Sequence, residues 1–292
     1  LNCKTNKGES MKNKKFNFEK AISFIILLIF SILFLVPIIW VFLSAFKVDA
    51  ELNRAGGFLF LPKTWTLQNF IEVLDPKNVK VPIYKWFGNS VLVSAIYTLL
   101  SILIVSMSAY AFGKLKFKGR NFLFLTILFI SSFPSIVNIV PLYHTMKLLK
   151  WVNTPMALIF PGLAGTFNIF LVKQFMIGVP DSIIEAGKID GAGDIHIFFS
   201  LIFPILKPIL VVVGIFSFTG IWNDFLWPSI AINDIEKLTL TAGLQLARGT
   251  YETFVSKLSA VSVVSIVPMI VLYCFAEKWM IKGVQISAGV KG

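Results

Sequence analysis

Charge is scarce in this 292-residue chain. Asp, Glu, Lys and Arg together make up 14% of it, whereas a soluble domain carries about 25%. Cysteine is scarcer still: Cys3 and Cys274 lie near opposite ends without metal-ligand spacing, which argues against a disulfide framework or a metal cluster. No Gly-x-x-x-x-Gly-Lys-Ser/Thr segment occurs, so any ATP that drives this protein must be bound by another chain. His144 and His196 are isolated, with no companion at metal-ligand or catalytic spacing. No carboxylate sits at the centre of a hydrophobic run, where ion-coupled carriers commonly place one. Internal repeats and low-complexity segments are absent as well.

What remains is apolar. Hydrophobic residues account for 56% of the chain and the mean hydropathy is +0.80. Six runs contain no Asp, Glu, Lys or Arg: Ala21–Phe46, Trp86–Gly113, Asn121–Met146, Trp151–Val172, Pro208–Asn223 and Leu258–Ala276. A membrane-crossing helix needs about 20 apolar residues, and four runs exceed that comfortably. The fifth is short, but Ile195–Leu206 is also uncharged and Lys207 can snorkel from a helix end. The reading is an all-α integral membrane protein with six transmembrane helices, since lipid offers backbone groups no other partner and no ten-residue alternation suggests a barrel. The membrane segment is expected over residues 21–277, between a basic N-terminal segment at 1–20 and a tail at 278–292.

The net charge of +12 is explained by placement rather than by nucleic acid. With the N-terminus in the cytoplasm, inner segments hold 16 of the 27 basic residues: six before Ala21, four in Lys114–Arg120, three in Lys173–Lys207 and three after Ala276. Six of the remaining eleven fall in one long outer loop, where the bias counts least. This positive-inside pattern, with an even number of spans, places both termini in the cytoplasm. The first run is too long for a signal-peptide core, so a retained anchor is expected, with Met11 a candidate start.

Two connecting segments are too long for simple turns. The outer loop Lys47–Lys85, with Gly56, Gly57 and three prolines, reads as a lid or packing segment rather than a ligand site. In the inner segment, about 178–207, Pro180 stops the fourth helix and Ser182-Ile183-Ile184-Glu185 has capping-box spacing for a new short helix. Gly191-Ala192-Gly193 breaks that helix, Asp194 is placed to cap the next, and Pro204 and Pro208 precede re-entry into the membrane. Helix, glycine turn, helix: the spacing predicts an elbow. From spacing alone a partner surface and an amphipathic loop on the bilayer stand equal. Serines 90, 94, 101 and 106 and Thr98 fit helix packing or a wet path equally.

The segment Glu185-Ala186-Gly187-Lys188-Ile189-Asp190-Gly191-Ala192, followed by Leu201-Ile202-Phe203-Pro204, resembles the EAA loop of ABC importer permeases. Glu185, Ala186, Gly191 and Pro204 fall in register. Gly187 stands where that pattern has a second alanine, a change worth about 1 kcal/mol of helix propensity. Trp65–Phe70, Ala109–Phe112, Pro141–Tyr143, Trp222–Pro228 and the terminal Gly289–Gly292 are similar to the carbohydrate-importing, maltose-permease-G-like branch.

That resemblance implies the type I transmembrane fold of ABC importers and a permease subunit with no catalytic residue and no metal or cofactor of its own. It would form half of a sugar or oligosaccharide path in a bacterial cytoplasmic membrane. Implied partners are a second permease, two ATPase subunits that bind ATP and Mg, an extracytoplasmic solute-binding protein, and lipid. Glu185, Ala186, Gly187, Asp190 and Gly191 would carry the ATPase coupling, and Val290, Lys291 and Gly292 a second ATPase contact. Trp222, Asn223 and Asp224 are candidate path residues; Asp224, at the outer end of the fifth run, reads as a structural or gate-side residue rather than a proton relay. The competing readings are a secondary carrier driven by an ion gradient and a membrane enzyme using Asp190 or Asp194.

Overall fold

A computed structural model describes residues 18–52, 60–78, 81–250 and 254–289, with side chains described over 21–275 of these. In chain order the helices are α1 (Phe18–Ala45), α2 (Asp49–Leu52), α3 (Gln68–Val73), α4 (Ile83–Gly113), α5 (Arg120–Ser131), α6 (Ile139–Leu148), α7 (Met156–Ile159), α8 (Thr166–Ile177), α9 (Asp181–Ile189), α10 (Asp194–Ile197), α11 (Phe203–Ile205), α12 (Lys207–Asn223), α13 (Leu226–Ala231), α14 (Leu240–Thr250) and α15 (Val255–Gly289). No strand occurs among the described residues.

Only three of the six apolar runs are straight crossings: Ala21–Ala45, Ile83–Gly113 and Val255–Phe275. The third and fourth runs are broken, and the fifth follows a sharp bend. The third run was expected to be one helix, but α5 stops at Ser131 and the chain turns through 91° before Leu148. Pro134 causes this, because it lacks an N–H and pushes the preceding residue out of helical geometry. A 3₁₀ turn, Ser135–Asn138, then leads into α6.

The fourth run also departs from a single helix. It is interrupted between α7 and α8 at Pro161 and Gly162, the latter at φ +77°. Non-helical backbone at membrane depth is tolerated only inside protein, and that condition is met here. Ala157, Leu158, Ile159 and Leu163 are buried, the Tyr97 hydroxyl donates to the Gly162 carbonyl at 2.7 Å, and the Trp227 indole N–H donates to the Ala157 carbonyl at 2.8 Å.

The fifth crossing is α12 alone. Ile195–Leu206, expected as a possible extension of it, belongs to a segment bent by 82° from α12. Pro204 and Pro208 each stand in the first turn of a new helical piece, where a missing N–H is tolerated, and a π-type turn at Phe198–Ile202 precedes the bend.

Helix α4 is central, packed against α8 and α12; α12 packs on α15, and α15 on α1. The serine stripe of α4 faces inward. Ser90, Ser94, Ser101 and Ser106 are buried, and Ser101 Oγ lies 3.2 Å from Ser217 Oγ on α12. Within this chain those hydroxyls are packing positions, as small residues are between helices in lipid.

Two hydrophobic cores result, one at each end of α4. One gathers Val105, Ala109 and Tyr110 with α8, α9, the π-type turn and the start of α12. The other gathers Trp86 and Val93 with α3, α7, α13, α14 and the start of α15.

Candidate functional site

The elbow is rooted in the first core. After α8, Val179 is buried and Pro180 adopts an extended conformation that starts α9 at an angle of 79° to α8. The expected capping box does not form: Ser182 lies inside the first turn, and no side chain caps the helix. Lys114 at the end of α4 fixes this start instead. Its Nζ, on a side chain only 8% exposed, donates to the Val179 carbonyl and to Asp181 Oδ1, both at 2.6 Å. The same hydrogen bond and charge hold the Asp181 carboxyl below its ordinary value.

Along α9 the residue types sort by face. Ile184 and Gly187 point into the core, while Ser182, Glu185, Ala186 and Ile189 share the outer face at spacings of three and four. Ile189 is 85% exposed and Ile195, just past the turn, 73%. These isoleucines stand on a surface otherwise made of Glu185, Lys188 and Asp190.

Gly191 terminates α9 at φ +79°. The Gly191 amide donates to the Lys188 carbonyl at 3.1 Å and the Ala192 amide to the Gly187 carbonyl at 2.9 Å. That pair of bonds is a Schellman motif, which needs a left-handed residue at the position of Gly191. Lys188 Nζ reaches Asp194 Oδ1 at 3.4 Å across the turn. Asp194 opens α10, but the cap position is Gly193 and no side-chain cap bond forms, against the expectation for Asp194.

Gly187 has a packing reason that the sequence concealed. A Cβ at this position would lie 3.1 Å from Ile197 Cγ1 and 3.2 Å from Leu201 Cδ1. The returning segment therefore lies nearly against the α9 backbone, and the glycine is the partner of Ile197 rather than a plain loss of helix propensity. Sequence reasoning also missed Lys114 as the residue that orients the elbow. Its only sequence signal was membership of a basic loop, and the Asp181 partner lies 67 positions away.

Of the five coupling candidates, Glu185, Ala186 and Asp190 are exposed, Gly191 shapes the turn, and Gly187 is buried. At the other end of the bundle, Trp222 is 2% exposed, stacked on Phe218 at 5.6 Å and set edge-on to Phe87. Asn223 is exposed, and Asp224 Oδ1 accepts the amides of Leu226 and Trp227 at 3.1 and 3.3 Å. Val290, Lys291 and Gly292 lie outside the described residues.

Crossings gathered round α4, one of them continued by a docked amphipathic elbow, define a multi-pass membrane protein with an exposed docking element. A family model described as the inner membrane component of binding-protein-dependent transport systems matches residues 106–281. The chain belongs to that family and is a membrane subunit of an ABC transporter.

It is 35% identical over 257 residues to the arabinooligosaccharides transport system permease protein AraQ of Halalkalibacterium halodurans, covering 88% of this chain and 91% of that one. The diacetylchitobiose uptake system permease protein NgcG of Streptomyces coelicolor is 32% identical, with coverage of 88% and 85%. In fold the chain is similar to a bacterial ABC transporter involved in the import of the acidic polysaccharide alginate. That match has a TM-score of 0.78 at 23% identity and covers 89% of this chain and 95% of the other.

Proposed function

We propose that this chain is half of the membrane path of an ATP-driven importer for a short oligosaccharide, received from a solute-binding protein. The substrate class is supported by the similarity to AraQ and NgcG, permeases of an arabinooligosaccharide and a diacetylchitobiose uptake system. The chain would pair with a second permease, and two ATPase subunits would bind ATP and Mg. Both termini would lie in the cytoplasm of a bacterial cell, with the elbow on the same side. Val290, Lys291 and Gly292 would add a second contact to the ATPase, and Asn223 and Asp224 would border the path near its outer mouth, with Trp222 packed behind them.

The observation that carries this reading is the outer face of α9. Glu185, Ala186 and Ile189 stand free on a helix whose inner face is anchored in the bundle core. A surface so exposed, on an element so firmly rooted, suits transmission of force from a partner to α4, α8 and α12. ATP-driven closure of the partners would draw the elbow with them and open the path outward; hydrolysis would reset it.

Gly191→Val tests the assignment. A β-branched residue at φ +79° is strongly disfavoured, so the Schellman turn must open and the outer face must reorient. The expected result is at least a tenfold loss of ATP-dependent uptake, with unchanged amounts of protein in the membrane. Normal uptake by that variant would show that the elbow is not the coupling element. Uptake that survives ATP depletion but collapses with the ion gradient would favour a secondary carrier instead.

A further inference from the structure

The short loop between α4 and α5 carries a second feature that coupling does not use. Lys116, Phe117, Lys118, Arg120 and Phe122 all line one open basin of about 690 Å³ that this single loop forms. The segment from Lys114 to Phe122 contains no carboxylate. Asp181, which feels the charge of Lys116, is paired with Lys114. No ion pair involving Lys116, Lys118 or Arg120 occurs among the described residues.

The loop is built rather than merely basic. Gly119 is left-handed at φ +81°, and Arg120 Nη1 donates back to the Leu115 carbonyl at 3.0 Å, which holds the guanidinium across the turn. Lys173 approaches from α8, its Nζ 4.0 Å from the centre of the Phe124 ring. Beside the basin the surface becomes apolar: Phe122 is 73% exposed, and Leu125 and Phe129 continue that stripe along α5.

We propose that the basin binds the phosphate diester of an anionic phospholipid, with its acyl chains lying along the exposed stripe of α5. The chemistry matches at both ends. Clustered cations at a membrane boundary attract anionic headgroups by about 1 kcal/mol per Lys or Arg, and a phosphate suits an Arg held in place. The stripe of Phe122, Leu125 and Phe129 adjoins the basin, which a free anion would not need. Through Lys114, the same loop reaches the start of the elbow.

The test uses the full-length chain purified with its partner subunits and placed in phosphatidylcholine vesicles with or without phosphatidylglycerol. Retained lipid is read by native mass spectrometry, and uptake is measured in parallel. Lys116→Gln/Lys118→Gln should weaken phosphatidylglycerol retention about 30-fold, two charges' worth, and should abolish any stimulation of uptake by that lipid. Lys116→Arg/Lys118→Arg should restore both. Lys147→Gln/Lys150→Gln, an equal loss of charge in another short loop, should change neither.

Unchanged retention in the Gln variant would overturn the proposal. So would displacement of the lipid by inorganic phosphate alone, which would mark a free-anion site. An equal loss of uptake in pure phosphatidylcholine would point instead to an acidic surface of a partner protein, and would overturn it as well.

Discussion

The two ends of α4 are held by different physics. At the elbow end, cohesion is mostly apolar: Ile184, Ile197, Phe198, Ile202 and Leu206 close over Met176 and Val172, with two ion pairs, Lys114–Asp181 and Lys188–Asp194, at the edge. The elbow lies beyond the apolar runs, so burial there is measured against water and stabilises by about 1.5–3 kcal/mol per large side chain.

At the far end, short elements are joined by side chains that satisfy stray backbone groups. The Trp86 indole donates to the Ile235 carbonyl at 2.6 Å, Asn89 donates to the carbonyls of Glu236 and Leu238, and Ser90 Oγ accepts the Leu240 amide at 2.7 Å. Asn69 donates to the carbonyls of Ala45 and Lys47 and accepts from Ser256, while Glu51 accepts the amides of Lys63 and Thr64. Directional bonds fix one arrangement. Apolar contacts let a helix tilt as a body without breaking any single bond. The elbow end is therefore built as a movable lever and the far end as a fixed clasp.

The largest expected effect lies in the clasp. A Cβ on Gly243 would fall 2.3 Å from the Trp86 ring, which is fully buried and bound at its indole nitrogen. Neither neighbour can retreat cheaply, and overpacking of this kind costs about 1–3 kcal/mol or more. Gly243→Ala should lower the thermal aggregation temperature of the detergent-solubilised protein by several degrees and reduce its accumulation in membranes. If the clasp were as pliant as the lever, the variant would melt with the wild type.

The same contrast decides what could be read in the chain itself. Long apolar runs located α1, α4 and α15 because a straight crossing announces itself by length. The elbow was legible because Pro180, Gly191 and Pro204 act locally, each through its own backbone. The clasp was not legible: Trp86 and Gly243 are 157 positions apart, and nothing near either names the other. Composition also overstated continuity. The runs holding Pro134 and Gly162 are apolar enough to cross, yet α5 and α8 are 12 residues each, about 18 Å of helix against a hydrocarbon core of about 30 Å.

A middle-sized effect is expected where lever and bundle touch. Gly187→Ala gains about 1 kcal/mol of helix propensity but pushes a methyl to 3.1 Å from Ile197 and 3.2 Å from Leu201. The two should nearly cancel, leaving stability within about 1 kcal/mol of wild type. Gly187→Leu has no such balance and should undock α9, seen as faster hydrogen exchange from Ile183 to Ala192 with the far end unchanged. Exchange that rises equally at both ends would mean that the two cores are one cooperative unit.

The smallest effect concerns the Lys114–Asp181 ion pair at the lever's edge. Asp181 is held below its ordinary value of 3.8, first by the Lys114 hydrogen bond and then by its charge. A depressed carboxyl contributes its stabilisation fully above the unfolded-state pKa and loses it as pH falls through the folded value. Docking of α9 should therefore loosen only below about pH 4, and modestly, since the carboxylate is 74% exposed and screened by solvent. Lys114→Gln should shrink that acid step and loosen the start of α9 at neutral pH, because the Val179 carbonyl also loses its charged donor. Hydrogen exchange of the α9 amides, corrected for the intrinsic pH dependence of exchange, separates these contributions. An acid step of equal size in both proteins would locate its origin outside this pair.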